Sequence, residues 1–199
     1  MSDRMPLTEA VAIVRDARGP IDIVISSMGT AREWLALGPL HPLDFVYVPS
    51  AMGHAASLGL GLALAQPTRR VIALMGDGSL LMNLGSLATI AAARPQNLVV
   101  IVFDNGVYEV TGAQPTPATV GVDRSRVDYA TVARACGITS VQSFANHGEW
   151  KSGIVGALDA RGPTVVVLSV APVPGAVGPK SPGPTNRRSS AFIAAVRSS

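Results

Sequence analysis

The stretch Val71-Ile72-Ala73-Leu74-Met75 runs straight into Gly76-Asp77-Gly78-Ser79, and Leu98-Val99-Val100-Ile101-Val102-Phe103 runs into Asp104-Asn105-Gly106. Each apolar run is short, rich in β-branched residues and uninterrupted, the pattern of a strand buried on both faces. Each ends at a turn dipeptide, Asp77-Gly78 or Asn105-Gly106, which by itself only turns a chain. A hairpin is not the reading here, because the residues after Ser79 carry a helical pattern over 80–93 rather than a returning strand. Two strand ends that each present an oxygen-bearing side chain can hold a hard cation such as Mg²⁺ between them. Gly76 and Gly78 let the backbone approach a phosphate closely and aim amide N–H groups at it. Asp77 is unsuited to touching a phosphate directly, but it suits a metal that neutralises one. The pair therefore predicts a metal–diphosphate site.

Working outward, further strand-like runs lie at 21–25, 45–48 and 164–170, with 138–141 a candidate for a shorter sixth. The stretches 31–37, 54–65, 80–93, 129–136 and 149–160 read as helices. This alternation predicts an α/β fold: a doubly wound, mainly parallel sheet with helices on both faces and ligands at the C-terminal strand ends. Gly76 and Asn105 both fall at such ends. Two segments break the rhythm. Residues 110–126, with Gly112, Pro115, Pro117 and Gly121, form a long aperiodic loop of the kind that often carries function. From 171 the chain is dense in Pro and Gly. That divides it into a diphosphate-binding domain at 1–170 and a tail at 171–199, in which 190–199 is a candidate short helix.

With 199 residues, 48% of them hydrophobic and 15% charged, the chain suits one domain with a sizeable core. Gly, Pro or charge interrupts every apolar run short of a membrane span, so no membrane partner is expected. Asp3 and Arg4 near the start leave no apolar signal core, and a cytoplasmic protein is expected. The single cysteine, Cys136, excludes an intrachain disulfide or a cluster held by four cysteines of this chain. The net charge of +3 is spread out, with Arg69-Arg70 and Arg187-Arg188 the only basic doublets. That is not the dense basic stripe with stacking aromatics that nucleic acid requires, and it suits an anionic cofactor or substrate. A dinucleotide fingerprint is excluded as well: Leu81 stands where its third glycine belongs, and Gly59-x-Gly61 lies inside a helical stretch.

Three segments resemble one family. They are Ala51-Met52-Gly53-His54-Ala55-Ala56-Ser57-Leu58-Gly59-Leu60-Gly61, the stretch 76–87, and Asp104-Asn105-Gly106-Val107-Tyr108 with Thr111-Gly112-Ala113-Gln114-Pro115-Thr116. Together they are similar to the diphosphate-binding domain of sulfopyruvate and phosphonopyruvate decarboxylases, in the thiamine diphosphate (ThDP)-dependent decarboxylase superfamily. The Gly-Asp-Gly and Asn pair marks the superfamily, and the Met-Gly-His-Ala and Thr-Gly-x-Gln-Pro-Thr segments narrow it to this branch.

The resemblance implies roles for particular residues. Asp77 and Asn105 would ligate Mg²⁺ through side-chain oxygens, with the Val107 carbonyl as a third ligand, and Gly76 and Tyr108 would line the cofactor site. Gly78 and Ser79 would donate hydrogen bonds to the diphosphate. Met52, beside Gly53, would be an apolar wedge that bends the cofactor so that its own amino group reaches its reactive carbon. The Ser50 carbonyl would accept a hydrogen bond from that amino group. His54 would contact substrate or simply pack at a helix start, and Gln114 and Thr116 would help close the site.

Two departures matter. Asp104 stands where many superfamily members have a first asparagine. In addition, the glutamate that activates the pyrimidine ring, supplied elsewhere in the superfamily by a separate pyrimidine-binding domain, has no recognisable counterpart among Glu9, Glu33, Glu109 and Glu149. The expectation is thus a diphosphate-binding, β-type subunit of a ThDP- and Mg²⁺-dependent 2-oxoacid decarboxylase. It would work in a hetero-oligomer with a pyrimidine-binding α-type subunit, on a small anionic 2-oxoacid such as sulfopyruvate or phosphonopyruvate. The apolar helix at 53–65 is its expected contact surface. Carboligation, ferredoxin-linked oxidative decarboxylation and a non-catalytic ThDP-binding role stay open at this point.

Overall fold

The computed structural model describes residues 4–118 and 127–198. In chain order it runs through β1 (Met5–Pro6), α1 (Leu7–Ala17), β2 (Ile23–Ser27), α2 (Met28–Ala36), β3 (Asp44–Tyr47) and α3 (Ala55–Ala65). Next come β4 (Val71–Gly76), α4 (Asp77–Met82), α5 (Ser86–Ala93), β5 (Leu98–Asp104) and the small pair β6 (Val107–Tyr108) and β7 (Gln114–Pro115). The chain finishes with α6 (Tyr129–Ala135), β8 (Ser140–Phe144), α7 (His147–Asp159), β9 (Thr164–Ala171) and α8 (Thr185–Ser198).

Seven of the described strands form one sheet in the order β1-β9-β5-β4-β2-β3, with β8 alongside β9. Every pairing in it is parallel, as the uninterrupted apolar runs require. Alternate residues face opposite ways along each strand. Ile23, Ile25, Val71, Ala73, Met75, Val100 and Val102 meet Leu60, Leu87, Ile90, Ala133 and Phe192 on one face. Val24, Ile72, Leu74, Val99 and Ile101 meet Val11, Trp34, Trp150 and Ile154 on the other. The chain order reverses beside β2, since β3 lies on one side of it and β4 on the other. A crevice opens at the strand C-termini at such a reversal.

Several elements differ from the sequence reading, which placed β2 at 21–25 rather than Ile23–Ser27 and expected neither β1 nor the β6–β7 pair. Helix α1 went unread, although Leu7, Ala10, Val11 and Val14 follow helical spacing and are buried. The single helix expected over 80–93 is two helices, broken at Asn83. There the backbone leaves helical geometry (φ −144°), and the side-chain amide donates to Gly53 O and Ser57 Oγ at 3.3 and 3.2 Å. The shorter sixth strand is displaced by two residues, to Ser140–Phe144. The C-terminal helix begins at Thr185, well before 190, because it has a docking site on β3: Phe192 packs on Phe45 with ring centroids 5.0 Å apart, and Arg188 Nη1 donates to Val46 O at 2.6 Å. Residues 119–126 of the long loop, Gly121 included, lie outside the described residues. Among the described residues no helix is long and apolar enough to cross a membrane.

Candidate functional site

Parallel pairing of Gly76 with Phe103 puts Asp77 and Asn105 at the open ends of neighbouring central strands. The start of α2 joins them from the next strand. Ser27 N donates to Thr30 Oγ1 at 3.1 Å, and Thr30 Oγ1 lies 3.0 Å from Leu74 O, which pins the first turn of α2 to β4. Met28 takes a left-handed backbone there (φ 51°), an uncommon state for a residue with a side chain. The resulting pocket is lined by Met28, Gly29 and Thr30, by Gly76, Asp77, Gly78 and Ser79, and by Asn105, Val107 and Tyr108, with apolar walls from Leu7, Met52, Met82 and Phe103.

Asp77 is 1% exposed, and neither carboxylate oxygen has a hydrogen-bond partner. Buried polar atoms are almost always paired, so two orphaned oxygens on one acid mark a site built for something else. Burial, reinforced by the nearby Asp104 charge, pushes the Asp77 carboxyl up to about 6; the backbone N–H groups of Gly78 and Asn105 lie close enough to offset this only in part. A divalent cation relieves that cost directly. Among the described residues no cluster of three or more His, Cys, Asp or Glu side chains could hold a metal. The donors here are one carboxylate plus neutral amide and carbonyl oxygens. That set suits Mg²⁺, which is commonly held by one or two carboxylates and completes its shell with phosphate oxygens and water.

Asn105 is nearly buried and held at both ends: its Oδ1 accepts from Val107 N at 3.0 Å, and its Nδ2 donates to Glu109 Oε1 at 3.2 Å. Glu109 is buried too, and Arg32 Nη2 donates to its Oε2 at 2.9 Å. Arg32 Nε also donates to Glu33 Oε1 at 2.8 Å. The Arg32 guanidinium is pushed further up by these carboxylates, against the opposing effect of its own burial.

The fold thus brings together Asp77, Gly76, Gly78, Ser79, Asn105, Val107, Tyr108 and Met52 around one pocket. Met52 reaches it from the loop before α3 and keeps 58% of its surface exposed. Gly53 is buried against the first turns beyond β4: with φ +84°, a Cβ there would lie 2.9 Å from Ser79 O and 2.7 Å from Asn83 Cβ. Ser50 and His54 do not line the pocket. The Ser50 hydroxyl is buried without a partner, and exposed His54 has its Nδ1 3.0 Å from Met52 O. Gln114 is exposed and bonded to Thr111, while Thr116 is fully buried. Sequence reasoning missed Arg32, Glu109 and the Met28–Gly29–Thr30 turn. The turn carried a readable signal, since Ser27 and Thr30 stand three apart at the end of an apolar run in a capping pattern.

Known proteins resemble this chain in sequence and in fold. The family model "Thiamine pyrophosphate enzyme, C-terminal TPP binding domain" matches residues 22–168. A phosphonopyruvate decarboxylase of Streptomyces viridochromogenes is 43% identical over 150 residues, covering 74% of this chain and 36% of that protein. One of Streptomyces hygroscopicus is 38% identical over 192 residues, covering 86% and 46%. The sulfopyruvate decarboxylase subunit beta of Methanothermobacter thermautotrophicus is 39% identical over 154 residues, covering 76% of this chain and 75% of the relative. The chain therefore spans less than half the length of the phosphonopyruvate decarboxylases it matches and most of the subunit. Among solved structures, a thiamine diphosphate-dependent 4-hydroxybenzoylformate decarboxylase of Rhodococcus jostii superposes with a TM-score of 0.69 at 22% identity, over 86% of this chain and 33% of that one, a likeness of fold. Family match, fold and strand-end geometry agree: the chain belongs to the thiamine pyrophosphate enzymes and carries their C-terminal TPP-binding domain.

Proposed function

We propose that this chain is the diphosphate-binding subunit of a ThDP- and Mg²⁺-dependent decarboxylase of small anionic 2-oxoacids, of the sulfopyruvate or phosphonopyruvate kind, acting in the cytoplasm. The observation that carries the reading is Asp77, a buried carboxylate with two unpartnered oxygens at a strand end beside Asn105. In this reading Asp77, Asn105 Oδ1 and the Val107 carbonyl hold Mg²⁺. The first N–H groups of α4, at Gly78 and Ser79, have no acceptor within the helix and face the diphosphate. Met52 would support the middle of the cofactor, and Ser50, outside the pocket lining but on the same loop, would offer its carbonyl to the pyrimidine amino group; Gly53 keeps the loop seated on α4, and Tyr108 lies over Gly78. His54, at the mouth of the same loop, is available to the substrate. Bound ThDP would supply the electron sink for loss of CO₂ from the 2-oxoacid. The chain's own part is to bind, to orient and to exclude water with the apolar walls Leu7, Met82 and Phe103.

A second subunit completes the proposal. Of the four glutamates, Glu33 and Glu109 are committed to Arg32, Glu149 caps α7 through Ala145 N, and Glu9 lies on the exposed side of α1. None is available to activate a pyrimidine, which supports a pyrimidine-binding partner that supplies this group, as does the subunit designation of the Methanothermobacter relative. The test is isolation from native cells with mass spectrometry of co-purifying proteins and cofactor. ThDP retained together with a second subunit is expected, whereas a lone homo-oligomer without ThDP would overturn the proposal. In binding assays, Asp77→Ala should abolish metal-dependent ThDP affinity, and unchanged affinity would remove the site assignment.

A further inference from the structure

An asparagine that serves a cation has a problem that an aspartate lacks. Its two ends are nearly the same size, yet only one of them is an oxygen; the wrong end would present N–H hydrogens to the metal. Asn105 carries a device that settles the choice. A carboxylate can only accept, so Glu109 Oε1, 3.2 Å from Asn105 Nδ2, fixes that end as the nitrogen. Val107 N–H takes one lone pair of Oδ1 at 3.0 Å and leaves the other for a ligand.

Glu109 is itself held on every side. Val173 N donates to the same Oε1 at 2.8 Å, from the segment just beyond β9. Arg32 holds Oε2, and Arg32 Nη1 also donates to Val177 O at 3.3 Å. Glu33, the other partner of Arg32, accepts from Thr8 Oγ1 at 2.6 Å. Gly29 leaves room for the carboxylate, because a Cβ there would lie 3.0 Å from Oε2.

We propose that Glu109 is a positioning residue: held by Arg32 and by the backbone of Val173, it turns the Asn105 amide so that oxygen, not nitrogen, faces the cation site opposite Asp77. This rests on the cation-site reading given above. An ion pair that serves only to hold α2 to the loop would have the same partners but no effect on the amide.

The experiment uses the full chain in two states. In the metal-free chain, the Asn105 side-chain NH₂, assigned in ¹⁵N spectra by its loss in Asn105→Asp, is expected to exchange slowly with solvent in the wild type and quickly in Glu109→Ala. Equal exchange in both overturns the proposal. With ThDP present, Mn²⁺ affinity followed by electron paramagnetic resonance is expected to fall about tenfold in Glu109→Ala, the scale on which groups behind a ligand act. In the Asn105→Asp background, where both ends are oxygen, the same substitution should cause no loss. An equal loss in both backgrounds would show a merely structural ion pair and overturn the proposal. Should Glu109→Ala fold poorly, Glu109→Gln keeps the shape but must turn an NH₂ toward either Asn105 or Arg32, and is expected to show the same pattern in weaker form. Asp77→Ala separates the two claims: unchanged Mn²⁺ affinity in that variant sinks the cation-site reading, while the exchange result still reports on the Glu109–Asn105 bond.

Discussion

The ring of Tyr108 lies so close over Gly78 that a Cβ on the glycine would stand 2.6 Å from its Cδ1. The contact joins the two halves of the site, since Gly78 opens the helix after β4 and Tyr108 follows β5. Gly78→Ala should therefore push the tyrosine out of place. We expect a loss of about 1–3 kcal/mol in stability from overpacking, together with weaker ThDP binding. Thermal denaturation should show that Tyr108→Ala, added to Gly78→Ala, restores part of the lost stability; a further additive loss would mean that the ring is not what the methyl group meets.

Asp77 should make the metal-free chain less stable than it need be. Its carboxyl is raised to about 6, against 3.8 for an ordinary aspartate. The unfolded chain releases this proton near pH 4 and the folded chain only near 6. The group's contribution is thus most favourable below about pH 4 and declines as pH rises to 6, by up to roughly 3 kcal/mol. In chelator, Asp77→Asn should be more stable than wild type at pH 7.5 by about 1–2 kcal/mol, and the difference should vanish at pH 4 in denaturant titrations. A variant less stable than wild type at pH 7.5 would contradict the argument.

On the proposed reading, the same proton should govern cation binding. A ligand must lose its proton before it binds a metal, so below pH 6 Mg²⁺ should release one proton from Asp77, and its affinity should drop by about tenfold per pH unit. Calorimetric titrations in buffers of different ionisation enthalpy would count that proton. A pH-independent affinity between 5 and 7 would count against Asp77 as a ligand.

Helix α8 should contribute measurably to stability. Phe192 is 8% exposed and packs against Phe45 with the rings tilted by 44°, and the Arg188 guanidinium also lies over the Phe45 ring, 6.0 Å from its centroid. Phe192→Ala is expected to cost about 3 kcal/mol, which for a chain of this size lowers Tm by roughly 6–12 °C. A shift below 2 °C would mean that the helix is not docked on β3 in solution.

How much of this could be read from the sequence depended on how local the causes were. The strand ends at Gly76 and Asp104 were legible because an uninterrupted apolar run followed by a glycine turn is a short-range pattern. Asp77 and Asn105 came with them. The break at Asn83 was not legible, because its cause is a hydrogen bond to Gly53, 30 positions away. The Arg32–Glu109 pair, 77 positions apart, carries no periodicity at all, and the residues look like ordinary surface charges until the fold brings them together. Helix α1 is a different matter: Leu7, Ala10, Val11 and Val14 offered the right spacing, and Pro6 just before them is the kind of residue that precedes a helix start. That signal was present and went unread.

The sheet's connectivity also bears on how the chain is made. Every ladder in it is parallel, so no two neighbouring strands are joined by a tight turn. The first strand finds its partner only near the other end of the chain, with Met5 opposite Val170. Helix α1 packs on α7 as well, where Trp150 Nε1 donates to Ala10 O at 3.0 Å. Strand β1 can therefore pair only once β9 has been made, although α1 already meets α2, where Arg15 Nη1 donates to Trp34 O at 3.1 Å. The stripe of α1 stays partly uncovered until α7 follows it, and the sheet closes last at the edge where β1 meets β9.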